Sequence, residues 1–334
     1  MLSSRTRYIA IASACCLALV VLTIAIVWYR QQDGRPPQKI IVQDFPTRTT
    51  SAPYPTDGYG LYESCPPSEG ERCFARLAQM ARGGFKLVMN YSQLSGTIDQ
   101  ELRYAYQAKV LGVKIIWNFS DPHFIDGYSD VRTIFPALAS NCNCSDNEGF
   151  IRYVVGMVRY LPATWGYYVG DEVSVTQLAQ VQALAAIIHS TDPQHPRLLD
   201  VRSPTPEVNK TLALFAGSAD VLMQDFYPVG HYNINLTSAV ATGVQAIADT
   251  YGKSSAMALQ AFSLGNYASY HNLCAPFPSC MHYPTVAQMR LMRNLVVQHS
   301  RPRLILWFSF PDVYNYSSGQ SQPHWQNLQA AIAS

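Results

Sequence analysis

Short apolar segments alternate with longer amphipathic segments along most of the chain. The short segments are apolar at nearly every position, whereas the long ones repeat their apolar residues every three to four positions, as a helix does. The predicted strands are residues 59–63, 85–91, 113–120, 165–172, 197–201, 220–227, 255–262 and 304–310. The predicted helices are residues 71–81, 98–111, 148–161, 176–189, 206–215, 236–251, 285–299 and 325–332.

Strands that are apolar on both faces are typical of a parallel sheet covered on both sides. The strand–helix units fill residues 58–334, which predicts an α/β fold of the (β/α)8 TIM barrel type. The alternative is an open doubly wound sheet, whose first strand would be followed by a glycine-rich phosphate-binding loop. The sequence there, Tyr62-Glu63-Ser64-Cys65, contains no glycine. We therefore favour the barrel.

The N-terminal part of the chain has a different pattern. Residues 9–28 contain no charged side chain, and a helix of that length spans a hydrocarbon core of about 30 Å. We expect residues 1–30 to form a cytoplasmic stub and a transmembrane anchor; a cleaved signal peptide and lipidation at Cys15 are the alternatives. Residues 31–57 are rich in proline, threonine and serine, which predicts a disordered tether.

The eight cysteines indicate the compartment. Cys15 and Cys16 lie in the apolar run. The other six form close pairs: Cys65 with Cys73, Cys142 with Cys144, and Cys274 with Cys280. Their spacing favours local disulfides over a zinc site, although a bridge across one residue is strained. Disulfides form in oxidising compartments, so we expect the barrel outside the cytoplasm, at the cell surface or secreted if the N-terminal segment is cleaved.

The amino-acid composition limits the kinds of molecule that the protein is expected to bind. With 24 Lys+Arg and 22 Asp+Glu, the chain has no excess of positive charge for a nucleic-acid partner, and we expect a monomer. Aromatic residues make up 12% of the chain, which suits either a large core or a stacking surface for a sugar-like ligand.

Polar residues stand where the predicted strands end. These residues are Glu63, Asn90, Tyr91, Asn118, Asp121, Asp171, Glu172, Asp200, Arg202, Asp225, Tyr227, Gln260, Ser309 and Asp312. Burying a carboxylate for packing alone would cost several kcal/mol. A cleft at this end of the barrel explains the pattern better, although a helix cap or loop hydrogen bond explains any single residue equally well. Two long loops, residues 121–147 and 264–284, belong to the same face.

Three short segments resemble clan-A glycoside hydrolases, which are (β/α)8 barrels. They are Trp165-Gly-Tyr-Tyr-Val-Gly-Asp-Glu172 on strand four, Asp225-Phe-Tyr-Pro228 on strand six and Trp307 on strand eight. The resemblance implies that Glu172 is the general acid/base and that Asp171 stands where the family has asparagine. It also implies an aromatic sugar platform at Trp307.

One position departs from that family. Its retaining members carry a nucleophilic glutamate at the end of strand seven, where this chain has Gln260. An amide does not form the glycosyl ester that a carboxylate forms. The second carboxylate is then Asp225, Glu63 or Asp121, and Asp225 is our first choice.

The sequence thus predicts a glycoside hydrolase that acts on an extracellular carbohydrate, with Glu172, Asp225 and Asp171 as catalytic residues. The alternative is an inactive barrel that only binds carbohydrate. The expected sugar-binding residues are Asn118, Tyr227, Gln260, Trp307, Tyr91 and Glu63. We expect no metal and no cofactor; a magnesium site formed by Asp121, Asp171 and Asp200 is a minor alternative, because no lysine or histidine base follows at the later strand ends.

Overall fold

The computed structural model describes residues 54–121, 124, 130–202, 206–267, 280–315, 320–321 and 323–333. Within them, parallel strands close into a barrel in chain order, and the last strand pairs with the first. The strands are β1 (Gly58–Glu63), β2 (Leu87–Asn90), β3 (Lys114–Asn118), β4 (Thr164–Gly170), β5 (Arg197–Arg202), β6 (Val221–Phe226), β7 (Ser254–Gln260) and β8 (Pro302–Phe308). The predicted (β/α)8 barrel is confirmed.

Each barrel strand is followed by a helix that covers its outer face. The helices are α1 (Glu71–Arg82), α2 (Ile98–Val110), α3 (Val131–Ile134), α4 (Pro136–Ala139), α5 (Asn147–Val158), α6 (Leu178–Thr191), α7 (Pro206–Leu214), α8 (Leu236–Tyr251), α9 (Val286–His299), α10 (Phe310–Val313) and α11 (Pro323–Ile332). The short helices α3 and α4 lie in the predicted long loop after β3. A two-stranded antiparallel sheet, Tyr314–Asn315 with Gln320–Ser321, follows α10.

Side chains alternate between the barrel interior and the helix layer, because successive Cβ atoms of a strand point to opposite faces. On β7, Ala256 and Ala258 belong to the same buried cluster as Leu304 and Leu306 of β8. Met257, between the two alanines, belongs to the larger cluster that includes the helices. The interior of the barrel is therefore a packed core.

Gly60 shows how tightly the interior is packed. A Cβ atom at this position of β1 would lie 2.5 Å from Leu306 Cδ2 and 2.8 Å from Leu87 Cβ. Both distances are well inside van der Waals contact, so only glycine allows β8, β1 and β2 to pack side by side here.

Capping chemistry fixes the helix ends. Gln100 donates its backbone N–H to Thr97 Oγ1 at 3.4 Å, and the Gln100 side chain accepts from the Thr97 N–H at 2.8 Å, which is a capping box at the start of α2. Helix α8 ends at Tyr251 and is capped by Gly252, whose φ of 64° is left-handed and costs a glycine little.

Two of the expected disulfides are formed: Cys65 with Cys73 and Cys142 with Cys144. The third pair includes Cys274, which lies outside the described residues. So do the predicted membrane span at residues 9–28 and all of the tether before Tyr54. Within the described part of the chain, no helix combines the length and apolar character that crossing a bilayer requires.

Candidate active site

A cavity of about 460 Å³ opens at the carboxyl ends of the strands, which is the face where (β/α)8 barrels carry their sites. Its lining divides into an acidic side and an aromatic side. The acidic side consists of Asp171, Glu172, Asp200 and Asp225, and the aromatic side includes Tyr91, Tyr227, Phe262 and Phe308.

The acidic side is built by three consecutive strands. Asp171 and Glu172 directly follow β4, Asp200 lies in β5 and Asp225 in β6. The register pairs Asp200 with Met223 and Arg202 with Asp225, so Asp200 lies two residues deeper in the barrel than Asp225. The carboxyl groups thus stand at different depths of one cavity.

Glu172 adopts an unusual backbone conformation. Its φ is +45°, and among the described residues it is the only one other than glycine with a positive φ. Such a conformation costs about 1 kcal/mol or more, and it persists only where the surrounding structure enforces it. It turns the chain sharply as β4 ends and places this half-buried carboxyl group in the cavity lining.

Asp171 is held by two phenols. Tyr168 donates its hydroxyl to Asp171 Oδ1 at 2.8 Å, and Tyr91 donates to Asp171 Oδ2 at 3.0 Å. Burial, followed by the charge of Asp171, raises the pKa of both tyrosines well above the usual value. Both phenols therefore stay protonated and remain donors, which fixes the orientation of the Asp171 carboxyl group.

Asp200 is the most deeply buried of the four, with 1% of its surface exposed. Burial raises its pKa well above the usual range, and the charges of Asp225, Asp171 and Glu172 raise it further. These effects favour the neutral, protonated form of the Asp200 carboxyl group. Its Oδ1 atom has no conventional hydrogen-bond partner.

The aromatic side is a continuous set of ring contacts. The Phe308 ring lies 5.2 Å from Tyr62 and 5.4 Å from Phe262, and Phe262 lies 5.0 Å from Tyr227. Tyr62 stacks on Tyr91 at 5.6 Å. Burial raises the pKa of Tyr227 well above its usual value, with a smaller contribution from Asp225, so its hydroxyl also stays protonated. Rings with polar edges of this kind can pack on the apolar face of a sugar and hydrogen-bond its hydroxyl groups.

The expected platform residue Trp307 lies behind the aromatic side of the cavity. It is fully buried and packs in the cluster that joins the strands to the helices. Its neighbour Phe308 lines the cavity instead. The alternation of side chains along β8 explains the exchange, since adjacent residues face opposite sides of the sheet.

Gln260 is fully buried and fastens two loops together. Its Oε1 accepts from the Val229 N–H at 2.7 Å, while Nε2 donates to the carbonyls of Val229 at 3.1 Å, Phe262 at 3.3 Å and His282 at 3.1 Å. These bonds occupy both ends of the amide, so the strand-seven side chain secures the loops after β6 and β7.

Two further expected binding residues also have local partners. Glu63 forms a buried ion pair with Arg76 of α1, in which Arg76 Nε donates to Glu63 Oε2 at 2.7 Å. Asn118 Oδ1 accepts from the N–H and hydroxyl of Ser120 at 2.9 Å and 2.7 Å. Of the expected sugar-binding residues, Tyr91 and Tyr227 line the cavity.

The structure adds cavity residues that the sequence interpretation did not assign to sugar binding or catalysis. They are Asp200, Phe226, His231, Tyr232, Phe262, Leu264, Tyr267, Met281 and Phe308. Asp200 carried a usable signal, because it follows the same strand-end pattern as Asp225. Phe262 and Phe308 carried none, since buried strands are apolar on both faces.

The described residues of the cavity do not form a preformed metal site. Within the described chain, the group of three side chains whose ligand atoms all lie within 4.8 Å of one another is Cys65, Glu69 and Cys73, and a disulfide engages both sulfurs. Asp121, Asp171 and Asp200, the alternative magnesium ligands, do not converge in this way.

No family model and no curated protein matches the chain. Solved structures match it along most of its length. A putative α-L-fucosidase from Bacteroides thetaiotaomicron VPI-5482 is 13% identical, with a TM-score of 0.54 over 87% of this chain and 96% of that one. The GH113 β-mannanase AaManA from Alicyclobacillus acidocaldarius is 10% identical, with a TM-score of 0.52 over 84% and 96%. The barrel shares the fold of these two proteins.

The GH2 β-galacturonidase from Eisenbergiella tayi extends this likeness, with 11% identity and a TM-score of 0.55 over 83% of this chain and 50% of that protein. At such identities the likeness is one of fold.

Proposed function

We propose that this glycosidase-like barrel is a glycoside hydrolase with Glu172 as its general acid. The observation that carries the proposal is the cavity itself, in which a glutamate held at a strained strand end shares one lining with other carboxyl groups and a set of aromatic rings. Residues in sparsely populated backbone conformations concentrate at functional sites.

In the proposed reaction, Glu172 gives its proton to the glycosidic oxygen as the bond from that oxygen to the anomeric carbon breaks. Asp225 acts from the next strand but one. As a base it removes a proton from a water molecule that attacks the anomeric carbon, which inverts the centre. As a nucleophile it forms a glycosyl ester that water then cleaves, which retains it; the separation of the two carboxyl groups decides between these routes.

Asp171 has a different role in this scheme. Its oxygens both accept hydrogen bonds from tyrosines, so its orientation is fixed before substrate arrives. A fixed carboxylate beside the sugar stabilises the positive charge that develops on the ring in the transition state. Tyr91, Tyr227 and Phe308 provide the contact surface for the sugar.

The second candidate function is carbohydrate binding without hydrolysis. It is favoured by Gln260, which stands at the strand-seven position of the family nucleophile and uses its amide to secure the loops. Under this alternative the aromatic side of the cavity and Asp171 still contact the sugar, but Glu172 and Asp225 catalyse no hydrolysis.

The two functions are separated by a panel of soluble plant, microbial and animal glycans. Reducing-sugar release and binding are measured for the wild type, for Glu172→Gln and for the exposed control Glu148→Gln. A hydrolase loses roughly 100-fold or more of its kcat in Glu172→Gln with little change in binding, while Glu148→Gln behaves as the wild type. Binding without release of sugar by the wild type would overturn hydrolysis in favour of the binding function.

We also propose that residues 9–28 anchor the barrel to a membrane with the barrel on the extracytoplasmic side. The uncharged run of that segment and the disulfides of the barrel support this arrangement. A chain without residues 1–30 should move from the membrane fraction to the soluble fraction. Protease added to intact cells should remove the barrel from the full-length chain, and protection of the barrel would contradict the proposed side.

A further inference from the structure

Asp200 lines the cavity, yet the proposed reaction gives it no role. It is almost fully buried, and its Oδ1 has no conventional partner. Leaving a buried polar atom unpaired costs about 1–3 kcal/mol, so an unpaired carboxyl oxygen requires an explanation. A carboxylate neighbour is not a conventional partner, because both groups are acceptors unless one of them carries a proton.

The fold places such a neighbour beside Asp200. Asp200 and Asp225 lie on the adjacent parallel strands β5 and β6, two residues apart in register, and both line the cavity. Residues two apart on a strand share a face, so both side chains point into the barrel, with Asp200 the deeper. Among the charges that act on Asp200, that of Asp225 is the largest.

We propose that Asp200 is a positioning residue, whose carboxylic acid donates a hydrogen bond to the carboxylate of Asp225 and so holds it toward the substrate. This inference rests on the proposed function only for its consequence in catalysis; the proposed pairing is argued from the strand register and the shared cavity.

Protonation provides the donor that this pairing requires. Burial and three neighbouring carboxyl groups raise the pKa of Asp200, and they act from both flanking strands: Asp171 and Glu172 after β4, and Asp225 on β6. A hydrogen bond from a neutral acid stabilises the ionised form of its partner. Asp200 thereby favours the charged Asp225 that acts as base or nucleophile.

The first experiment does not depend on turnover. Asp side chains are labelled with 13C at the carboxyl carbon, the Asp200 signal is assigned by its loss in Asp200→Asn, and its titration is followed by NMR. Asp200 should remain protonated at pH 7, and Asp225→Asn should lower its pKa by roughly one unit or more, because the largest repelling charge is gone. An Asp200 that titrates near the ordinary value of about 4, or one that ignores Asp225→Asn, would overturn the pairing.

The second experiment uses the hydrolase and two variants of matched size. Asp200→Asn keeps a donor, whereas Asp200→Leu keeps the shape without one. Asn should stay within about threefold of the wild-type kcat/KM. Leu should lose roughly tenfold and shift the acid limb of the pH profile upward, because Asp225 loses the hydrogen bond from residue 200. Asp192→Asn, in the turn between α6 and β5, controls for loss of a buried carboxyl group, and melting temperatures control for folding.

Each failure has its own signature. If both Asp200 variants lose kcat as strongly as Glu172→Gln, Asp200 is itself a catalytic carboxylate and the positioning role is wrong. If both move the acid limb to lower pH, Asp200 is charged in the wild type and the role is also wrong. A wild type that hydrolyses no glycan overturns the proposed function, yet the NMR titration still decides the pairing.

Discussion

The carboxyl groups at the strand ends differ chiefly in what holds them. Asp171 accepts from two tyrosines, burial favours the protonated form of Asp200, and Glu63 forms a buried ion pair with Arg76. Carboxyl groups at one rim thus provide an oriented acceptor, a group whose protonated form is favoured, and a structural ion pair. Environment rather than residue type separates these roles.

Breaking the buried ion pair between Glu63 and Arg76 should lower the stability of the protein strongly. In Arg76→Met, the Glu63 carboxyl group, which is 1% exposed, loses its partner in the protein interior, and we expect a loss of about 3–5 kcal/mol in the free energy of unfolding. Arg72→Met, four residues earlier on α1, removes a largely exposed pair with Glu69 and should cost less than about 1 kcal/mol. Urea unfolding compares the two, and equal losses would contradict the buried-pair role.

The residues at the rim show where sequence reasoning reaches its limit. The strand-end pattern brought Asp171, Glu172, Asp225, Tyr91 and Tyr227 to one cavity, as parallel strands require. The sequence could not show whether Trp307 or Phe308 of β8 faces the cavity. A strand buried on both faces has no alternation of polar and apolar residues that would indicate which side chains point inward. Nor could the partners of Glu63 and Gln260 be inferred, since each depends on a contact made only in the folded chain.

At the scale of elements, Gln260 joins the loops after β6 and β7. Gln260→Leu should destabilise the protein by about 2–4 kcal/mol, because buried carbonyl and amide groups lose their partners. Gln260→Glu should not create a nucleophile: its carboxylate would face the carbonyl oxygens of Val229, Phe262 and His282. The folded-state pKa of that glutamate would be raised, so the stability of the Gln260→Glu protein should fall as pH increases.

Melting temperatures between pH 5 and pH 8 test the behaviour of Gln260→Glu. The exposed substitution Gln298→Glu on α9 adds the same charge where water solvates it, and it should leave the melting temperature nearly unchanged. A stable Gln260→Glu with increased hydrolysis would show that the amide is not required to secure the loops.

A second element is tied down by Glu101 on α2. Glu101 is fully buried and accepts from Gln93 Nε2 at 2.7 Å and from the Gly96 N–H at 3.0 Å, which fastens the loop after β2 to the helix. Burial raises its pKa to about 8. The pKa is higher in the folded state than in the unfolded state, so its contribution to stability is complete below about pH 4 and is lost as pH rises toward 8.

Glu101→Gln should remove this pH dependence. Relative to the variant, the wild type should lose a few kcal/mol of unfolding free energy between pH 5 and pH 8.5, which denaturant titrations at each pH measure. The exposed Glu148→Gln serves as the matched control. Parallel stability curves for the wild type and Glu101→Gln would contradict a raised pKa.

At the scale of the whole molecule, the barrel was predictable because each unit repeats one simple pattern. Helix α8 was predicted at its observed limits, and strand β5 at 197–201 against the observed Arg197–Arg202. The four-residue helices α3 and α4 were missed, because a single turn is too short to show helical periodicity. The anchor and tether remain predictions.

The barrel should fold without the segment that precedes it. A chain of residues 54–334 should keep the melting temperature of the full-length protein, measured in detergent, since the barrel closes on itself within the described residues. A melting temperature lower by several degrees would show that the N-terminal segment stabilises the barrel.

The central claim is that Glu172 protonates a leaving group, and leaving-group dependence tests it most directly. The sugar identified by the glycan panel is prepared as two substrates. Its 2,4-dinitrophenyl glycoside has a leaving group that departs without acid assistance, whereas the leaving group of its methyl glycoside must be protonated. Glu172→Gln should reduce kcat/KM for the methyl glycoside roughly 100-fold more than for the dinitrophenyl glycoside. Equal losses with both substrates, or no loss with either, would contradict the account.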